Sequence, residues 1–302
     1  MHLLRDIALF VEVVNTRSFT RAAENLEMPP STLSRRISGL ERNIGLRLLN
    51  RTTRRVEVTD AGTAYYARCA HLVAEARVAH EQLAETVNVA KGTLRIACTP
   101  DFATQYLAPV VVEFTRRYPE VNVELSLSPR VEDLLVENLD LALRIGKLSD
   151  SALVARRVAT LQLGLYAAPS YFAVAAPPRH PADLSRHVCI RMRSDEAGST
   201  WNLSERGSSE KAAGIAVPVT GRFVVSSTLL IRQLTLLGAG IGVIDQVAAA
   251  EEVKTGRLLP VLPDWRLAPV PLHMLTASRL VPARVRLFGD FLGECLPNST
   301  EG

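Results

Sequence analysis

Lysine is scarce in this chain. Only Lys91, Lys147, Lys211 and Lys254 occur among 35 basic residues in a length of 302, so arginine carries the positive charge. Genome base composition produces such a bias, and no function follows from it. Cysteine is sparse and scattered: Cys69, Cys98, Cys189 and Cys295 form no C-x-x-C pair, and no charged-then-apolar leader precedes them. Reduced, mostly buried thiols in a cytoplasmic protein are the expectation. No uncharged apolar run reaches the ~18 residues of a membrane span; the longest, 224–250, is broken by Arg232, Gln233 and Asp245. The six histidines never fall at H-x-x-x-H spacing, and G-x-S-x-G and Walker loops are missing. A metal site, a cofactor and a grouped nucleophile, base and orienter are therefore not expected, and the chain reads as a non-enzyme. GAGIG (238–242) has a helix before it and a strand after it, the reverse of a dinucleotide loop, and reads as a helix stop.

What is present starts with bulk. A length of 302 with 47% hydrophobic residues predicts two or more domains with real cores. The net charge of +4 sits at one end: from Asn15 to Val58 nine arginines face four glutamates, a local excess of +5, while the remainder sums to −1. A basic end on a near-neutral body fits a polyanion partner or a solvated basic surface.

The stretch PPSTLSRRISGLERNIG (29–45) decides between them. Leu33, Ile37, Leu40 and Ile44 recur at spacings of 4, 3 and 4, one inward stripe of a helix. Ser31, Arg35, Ser38 and Arg42 lie opposite, with Ser34 on the flank. Prolines suit the helix start and Gly45 its end. Hydroxyls and guanidiniums on a free face reach base edges and phosphates of a major groove. Upstream, SFTRAAENL offers Ser18 as a cap and Ala22 and Ala23 as a close crossing point, and Glu27 to Pro30 make a short turn. Leu4, Ile7, Val11 and Val14 complete a three-helix core. Downstream, Leu46–Leu49 and Val56–Val58 flank a basic tip, a hairpin wing suited to phosphates. Helix, turn, helix and wing together favour a DNA reader.

SFTRAAENL, STLSRRISGLE and IGLRLLNRTTRRVEVTDAG, gap-free over about sixty residues, resemble the DNA-binding end of LysR-type transcriptional regulators. The resemblance implies a winged helix-turn-helix whose second helix enters the major groove. Where that family often carries a base-contacting Gln, this chain has Pro30. Base reading then rests on Ser31, Thr32, Ser34 and Arg35, and the wider DNA-binding set comprises Ser18, Thr20, Arg36, Arg51, Thr52 and Arg54.

Thr59 caps a helix with no proline before Pro100. Tyr65, Cys69, Leu72, Ala76, Ala79, Leu83 and Ala90 follow alternating 4 and 3 spacing, with Thr86 polar. Such a seam pairs helices between chains, or packs one amphipathic helix on its own domain. Pairing suits a roughly palindromic double-stranded site. The resemblance implies the same linker helix, a homodimer and often a homotetramer.

From residue 92 onward strands and helices alternate. TLRIAC (93–98), VNVELSL (121–127) and LDLALRI (139–145) read as strands, Ala103 to Tyr118 and Val131 to Asn138 as helices, giving a parallel sheet covered on both faces. LQLGLYA (161–167) opens a second unit, with strands near 188–192, 215–219, 222–225 and 241–244; VPLHMLT (270–276) and a helix from Pro282 to Leu296 return to the first. The layout is similar to the effector domain of the same family, which resembles periplasmic binding proteins. The expected fold is multidomain: residues 1–58 a winged helix-turn-helix, 59–91 a dimerisation linker helix, and 92–302 a two-lobed α/β effector domain. Lobe I takes about 92–160 and 267–302, and lobe II about 161–266.

Strand ends nominate a cleft: Thr99, Asp101 and Phe102, then Ser126 and Ser128, then Arg144, then Ser226 and Ser227. Hydroxyls beside free N–H groups at helix starts suit a carboxylated small metabolite. Asp101 and Asp245 oppose an anion and keep a neutral or cationic ligand open; the resembling family commonly has Pro at the latter position. The reading is a DNA-binding regulator modulated by a small molecule. A ligand-independent architectural DNA-binding protein and, with less support, an enzyme acting on a small acid are the alternatives.

Overall fold

The computed structural model describes residues 3–51, 56–84, 90–128, 139–148, 153–193, 200–207 and 214–296. The expected helix at 131–138, the wing tip Thr52–Arg55 and Thr86 of the seam lie outside them.

Three helices open the chain. In α1 (Leu3–Thr16) the buried residues are Ile7, Leu9, Phe10, Val11 and Val13. Leu4, expected inward, is instead 70% exposed beside the exposed Leu3, so the first turn overhangs the core. The short α2 (Phe19–Asn25) is capped by Ser18, whose Oγ accepts from Arg21 N at 3.3 Å. Ala22 and Ala23 are fully buried where helices cross, and Glu27 makes the turn at a φ of +49°. The next helix, α3 (Pro30–Ile44), buries Leu33, Ile37 and Leu40, and it ends at Gly45, whose φ of +78° suits a residue without Cβ.

The wing is β1 (Leu49–Arg51) paired antiparallel with β2 (Val56–Val58), Leu49 opposite Val58. Its first strand starts later than the sequence pattern suggested: Leu46 is exposed, while Leu48 and Leu49 enter the core. Glu41 of α3 fixes the wing base by accepting from Leu48 N at 2.9 Å and Leu49 N at 3.1 Å. Replacing Glu41 with Ala strands both donors, so thermal unfolding of the head should show a loss of about 2 kcal/mol. Unchanged melting would mean that water replaces the carboxylate.

The long α4 (Asp60–Ala84) begins at Thr59, whose Oγ1 accepts from Gly62 N at 3.0 Å and donates to Arg47 O at 2.8 Å. Its first half departs from an exposed inter-chain seam. Cys69, Tyr66 and Ala70 are buried in the head's own core, Tyr65 and Val73 pack against it, and Tyr66 Oη donates to Asn15 Oδ1 at 2.7 Å. Two turns of 4-and-3 spacing serve α1 as well as they would a partner helix. Leu72, on the same seam, is 55% exposed.

The remainder forms two mixed sheets and a small third one. In the first, β3 (Gly92–Cys98) lies parallel to β4 (Val121–Leu127) and β5 (Leu141–Ile145). The late strand Val270–Thr276 runs against β5, and β6 (Val154–Leu161) pairs antiparallel with its far side and so shares the direction of β3–β5, giving a five-stranded sheet. The all-parallel expectation is thereby corrected at one strand: the chain leaves for the second lobe along β6 and comes back along Val270–Thr276 in the opposite sense.

The second sheet contains β7 (Leu163–Ala167), which is followed by the short α7 (Pro169–Phe172), and β8 (Cys189–Met192). Next in the chain come β9 (Thr200–Glu205), β10 (Ile215–Pro218) and β11 (Val224–Val225), then α8 (Thr228–Leu236), β12 (Ile241–Asp245), α9 (Gln246–Lys254), β13 (Leu259–Val261) and β14 (Trp265–Leu267). The chain closes with β15 (Val270–Thr276) and α10 (Ala283–Cys295). The second sheet has the order β11-β8-β12-β7-β13, and β10 belongs instead to a separate antiparallel sheet, β10-β9-β14. As the sequence indicated, the GAGIG glycines stop a helix before a strand. Gly240, at a φ of +156°, passes so close to Val188 O that a Cβ would collide with it.

Phe114 anchors the first lobe, with Phe288 edge-on at 5.1 Å and Phe291 at 5.6 Å. Cys69, Cys98 and Cys189 are buried and Cys295 is exposed, all as free thiols. Burial pushes the Cys189 thiol up to about 12. Among the described residues no helix is long and apolar enough to cross a membrane.

Candidate functional site

Two regions collect the nominated residues. The first is the outer face of α3. Ser31, Arg35 and Arg42 are exposed, and Thr32 and Ser34 are half-buried at its edges. Ser38, on the same side, turns its hydroxyl back to Ser34 O at 3.0 Å. Among the described residues no hydrogen bond or ion pair engages the Arg35 side chain. Its neighbour Arg36 faces the other way, with Nε 2.8 Å from Asp6 Oδ1 of α1 in a largely shielded pair. Arg36 is thus already committed to holding α3 on α1. Thr20 is exposed on α2, while Ser18 is the cap described above. Arg51 lies in β1, and Thr52 and Arg54 fall outside the described residues.

The second region is a cavity of about 730 Å³ between the two larger sheets. It sits where the chain crosses between them: Leu161 and Leu163 flank one crossing, Leu267 and Val270 the other, and Val270 stands opposite Leu161 in the ladder. Of the nominated residues, Thr99, Asp101, Phe102, Ser226 and Ser227 line it. Ser126, Ser128 and Arg144 do not. Ser126 sits on the edge strand β4, and Arg144 is buried in the sheet, where its Nη1 donates to Leu143 O at 3.0 Å.

Residues that strand-end reasoning missed include Gln105, Tyr106, Ile190, Trp201, Asn202 and Ile231. Two of them follow from a local irregularity. The short α5 (Pro100–Phe102) passes through a π turn (Ala103–Leu107) into α6 (Ala108–Arg117). Pro109 has no N–H and its ring crowds the carbonyl of Gln105, so the helix widens just before it. That turn contains Gln105 and Tyr106, and the Tyr106 ring stacks on Phe102 at 5.4 Å. A helical reading that counted Tyr106 four residues after Phe102 would have placed it on the same wall.

The electrostatics of the cavity are set by two carboxylates. Asp101, from the first lobe, crosses to the start of α8: it accepts from Ser227 Oγ at 3.1 Å, Thr228 Oγ1 at 3.0 Å and Leu229 N at 3.1 Å. The corner expected to take a ligand carboxylate is therefore filled by one from the chain itself. Asp245, only 8% exposed, caps α9 by accepting from Val247 N at 3.0 Å and Ala248 N at 3.2 Å. Burial pushes its carboxyl above the usual range, opposed by hydrogen bonds from the Tyr106 hydroxyl and backbone N–H groups. The Tyr106 phenol is raised in turn, by burial first and then by the charge of Asp245. Among the described residues no arginine, lysine or histidine lines the cavity, and no cluster of His, Cys, Asp or Glu could hold a metal ion.

Known proteins share both regions. Residues 4–63 match the family described as a bacterial regulatory helix-turn-helix protein of the lysR family, and residues 88–296 match the LysR substrate binding domain. An HTH-type transcriptional regulator of Xanthomonas campestris is 34% identical over 96% of this chain and 85% of its own length. The regulator CrgA of Neisseria meningitidis is 31% identical over 98% of both chains. Among solved structures, that of CrgA aligns with a TM-score of 0.59 and 30% identity, covering 96% of this chain and 97% of its own. The full-length Vibrio cholerae virulence activator AphB aligns at 0.57 and 30%, covering 96% and 98%.

Proposed function

The chain belongs to the LysR family of bacterial helix-turn-helix regulators, and on that premise we propose that it binds a specific double-stranded DNA operator under the control of a small molecule held between its two lobes. Residues 1–58 read the DNA, 59–91 join chains, and 92–302 receive the effector. The observation that carries the reading is the outward face of α3: Arg35 and the Ser31 hydroxyl lie exposed, with Thr32 and Ser34 at the edges, on a helix whose opposite stripe buries Leu33, Ile37 and Leu40. A dimer, or a tetramer built from dimers, presents two such faces to a roughly palindromic operator. Pairing falls to the part of α4 beyond Val73, since the earlier turns serve the head's own core. The effector acts only if it binds two arrangements of the lobes with different affinity. A carboxylated metabolite, the class expected from the sequence, would have to take the α8 start from Asp101.

Operator selection from random duplex DNA with the full chain tests this reading. One enriched, roughly two-fold symmetric motif is expected, and enrichment of no motif overturns it. Arg51→Ala and Arg54→Ala should weaken binding to matched and unmatched DNA alike. Each should reduce the slope of log affinity against log salt by about 0.9 per head, about 1.8 for a dimer, as loss of one phosphate contact from each chain requires. An unchanged slope in both would remove the wing from the interface.

A further inference from the structure

We infer that the inter-lobe cavity accepts a largely apolar molecule without an anionic group, one that presents a hydrogen-bond donor to the cavity's acidic end; this rests on the reading of the cavity as the effector site. Its walls are apolar and aromatic, with Phe102, Ile190, Met192, Trp201, Ile231 and Leu267 among them. At about 730 Å³ it suits a ligand with a ring system and substituents.

The charge pattern supplies the rest. Helix starts are the usual home for an anion in such a cleft, because their N–H groups point outward unpaired. Here they are already served from within. The α8 start is held by Asp101 together with Ser227, whose Oγ accepts from Leu230 N at 3.1 Å. The α9 start is held by Asp245, and the Thr99 hydroxyl accepts from Phe102 N at 3.4 Å at the start of α5. An incoming carboxylate would leave water, meet the resident carboxyl groups of Asp101 and Asp245 and find no cationic side chain among the described lining residues. A ligand hydroxyl or ammonium meets the opposite situation: carboxylate oxygens and the Asn202 amide are at hand as acceptors.

A matched set of naphthalenes tests this with the full chain: β-naphthoate, β-naphthylmethanol and β-naphthylmethylamine, titrated calorimetrically near neutral pH. The alcohol or the amine should bind at least tenfold more tightly than the acid. In Asp101→Ala, which vacates the α8 start, the acid should gain about tenfold and the preference should shrink. Asp101→Asn, which keeps the shape and removes the charge, should move in the same direction and serves if the alanine variant folds poorly. Wild-type protein binding the acid as tightly as its partners would overturn the proposal while leaving the effector reading intact. An Asp101 series that leaves acid affinity unchanged would also overturn it. Failure of all three compounds to bind would remove both the proposal and the cavity's role as a ligand site.

Discussion

Phe10→Ala should unfold the DNA-reading head and leave the rest of the chain folded. Phe10 is fully buried at the centre of α1, with the Tyr65 ring of α4 at 5.7 Å and the α2–α3 crossing beside it. Truncating a buried phenylalanine costs about 3–5 kcal/mol in transfer and cavity terms. A unit of roughly sixty residues buries too little surface to hold much more than that in reserve. The described core around Phe10 draws only on residues from Ile7 to Val73, and the cores of the two lobes are separate from it. Calorimetry should therefore show the head transition lost or shifted far down while the lobe transition stays in place. Operator binding should vanish, and titrations of the cavity should be unaffected. A single transition moving as one would show that head and lobes unfold together.

Arg35→Ala should reduce specific operator affinity by about 1–3 kcal/mol, roughly fivefold to 150-fold, and relax base preference at one position of each half-site. The neighbouring Arg36→Ala provides the contrast. Its guanidinium pairs with Asp6 in a largely shielded site, so its loss should lower the melting temperature of the head and leave base preference unchanged. Competition gel shifts with matched and mismatched operators separate the two outcomes. Equal loss on all sequences in Arg35→Ala would make that residue a phosphate contact and move base reading to Ser31, Thr32 and Ser34.

The reading helix was legible because its period had no rival: Leu33, Ile37 and Leu40 fit one stripe, and prolines and Gly45 bound it. The α4 seam was less so. Spacing reports that one face is apolar, not which surface covers it, and Tyr65 and Cys69 turned out to meet α1. The strand β6 was hidden because VARRVATL alternates poorly and carries two arginines. In the small β10-β9-β14 sheet, β14 joins the neighbouring strands β9 and β10 from far along the chain, which no local pattern encodes. Strand-end logic found Thr99, Phe102 and the Ser226–Ser227 pair, because it asks only where the sheet stops. It missed Tyr106, which the π turn carries to the wall, and it over-reached at Arg144, whose place inside the sheet depends on packing by β15. Asp101 was singled out as a charge. That it spans 126 positions in sequence to cap α8 was beyond any reading of neighbours.

The seating of α4 has a mechanical consequence. Thr59 ties its first turn to the wing base through Arg47 and Leu48, and Tyr66 ties its second to Asn15 of α1. Helix, wing and reading face are thus welded into one rigid spanner whose handle emerges beyond Val73. On the proposed reading, torque arriving along that handle would swing the whole tool instead of reshaping its jaw, so the signal reaching the duplex would be an angle, with the fit of each jaw on its own half-site constant.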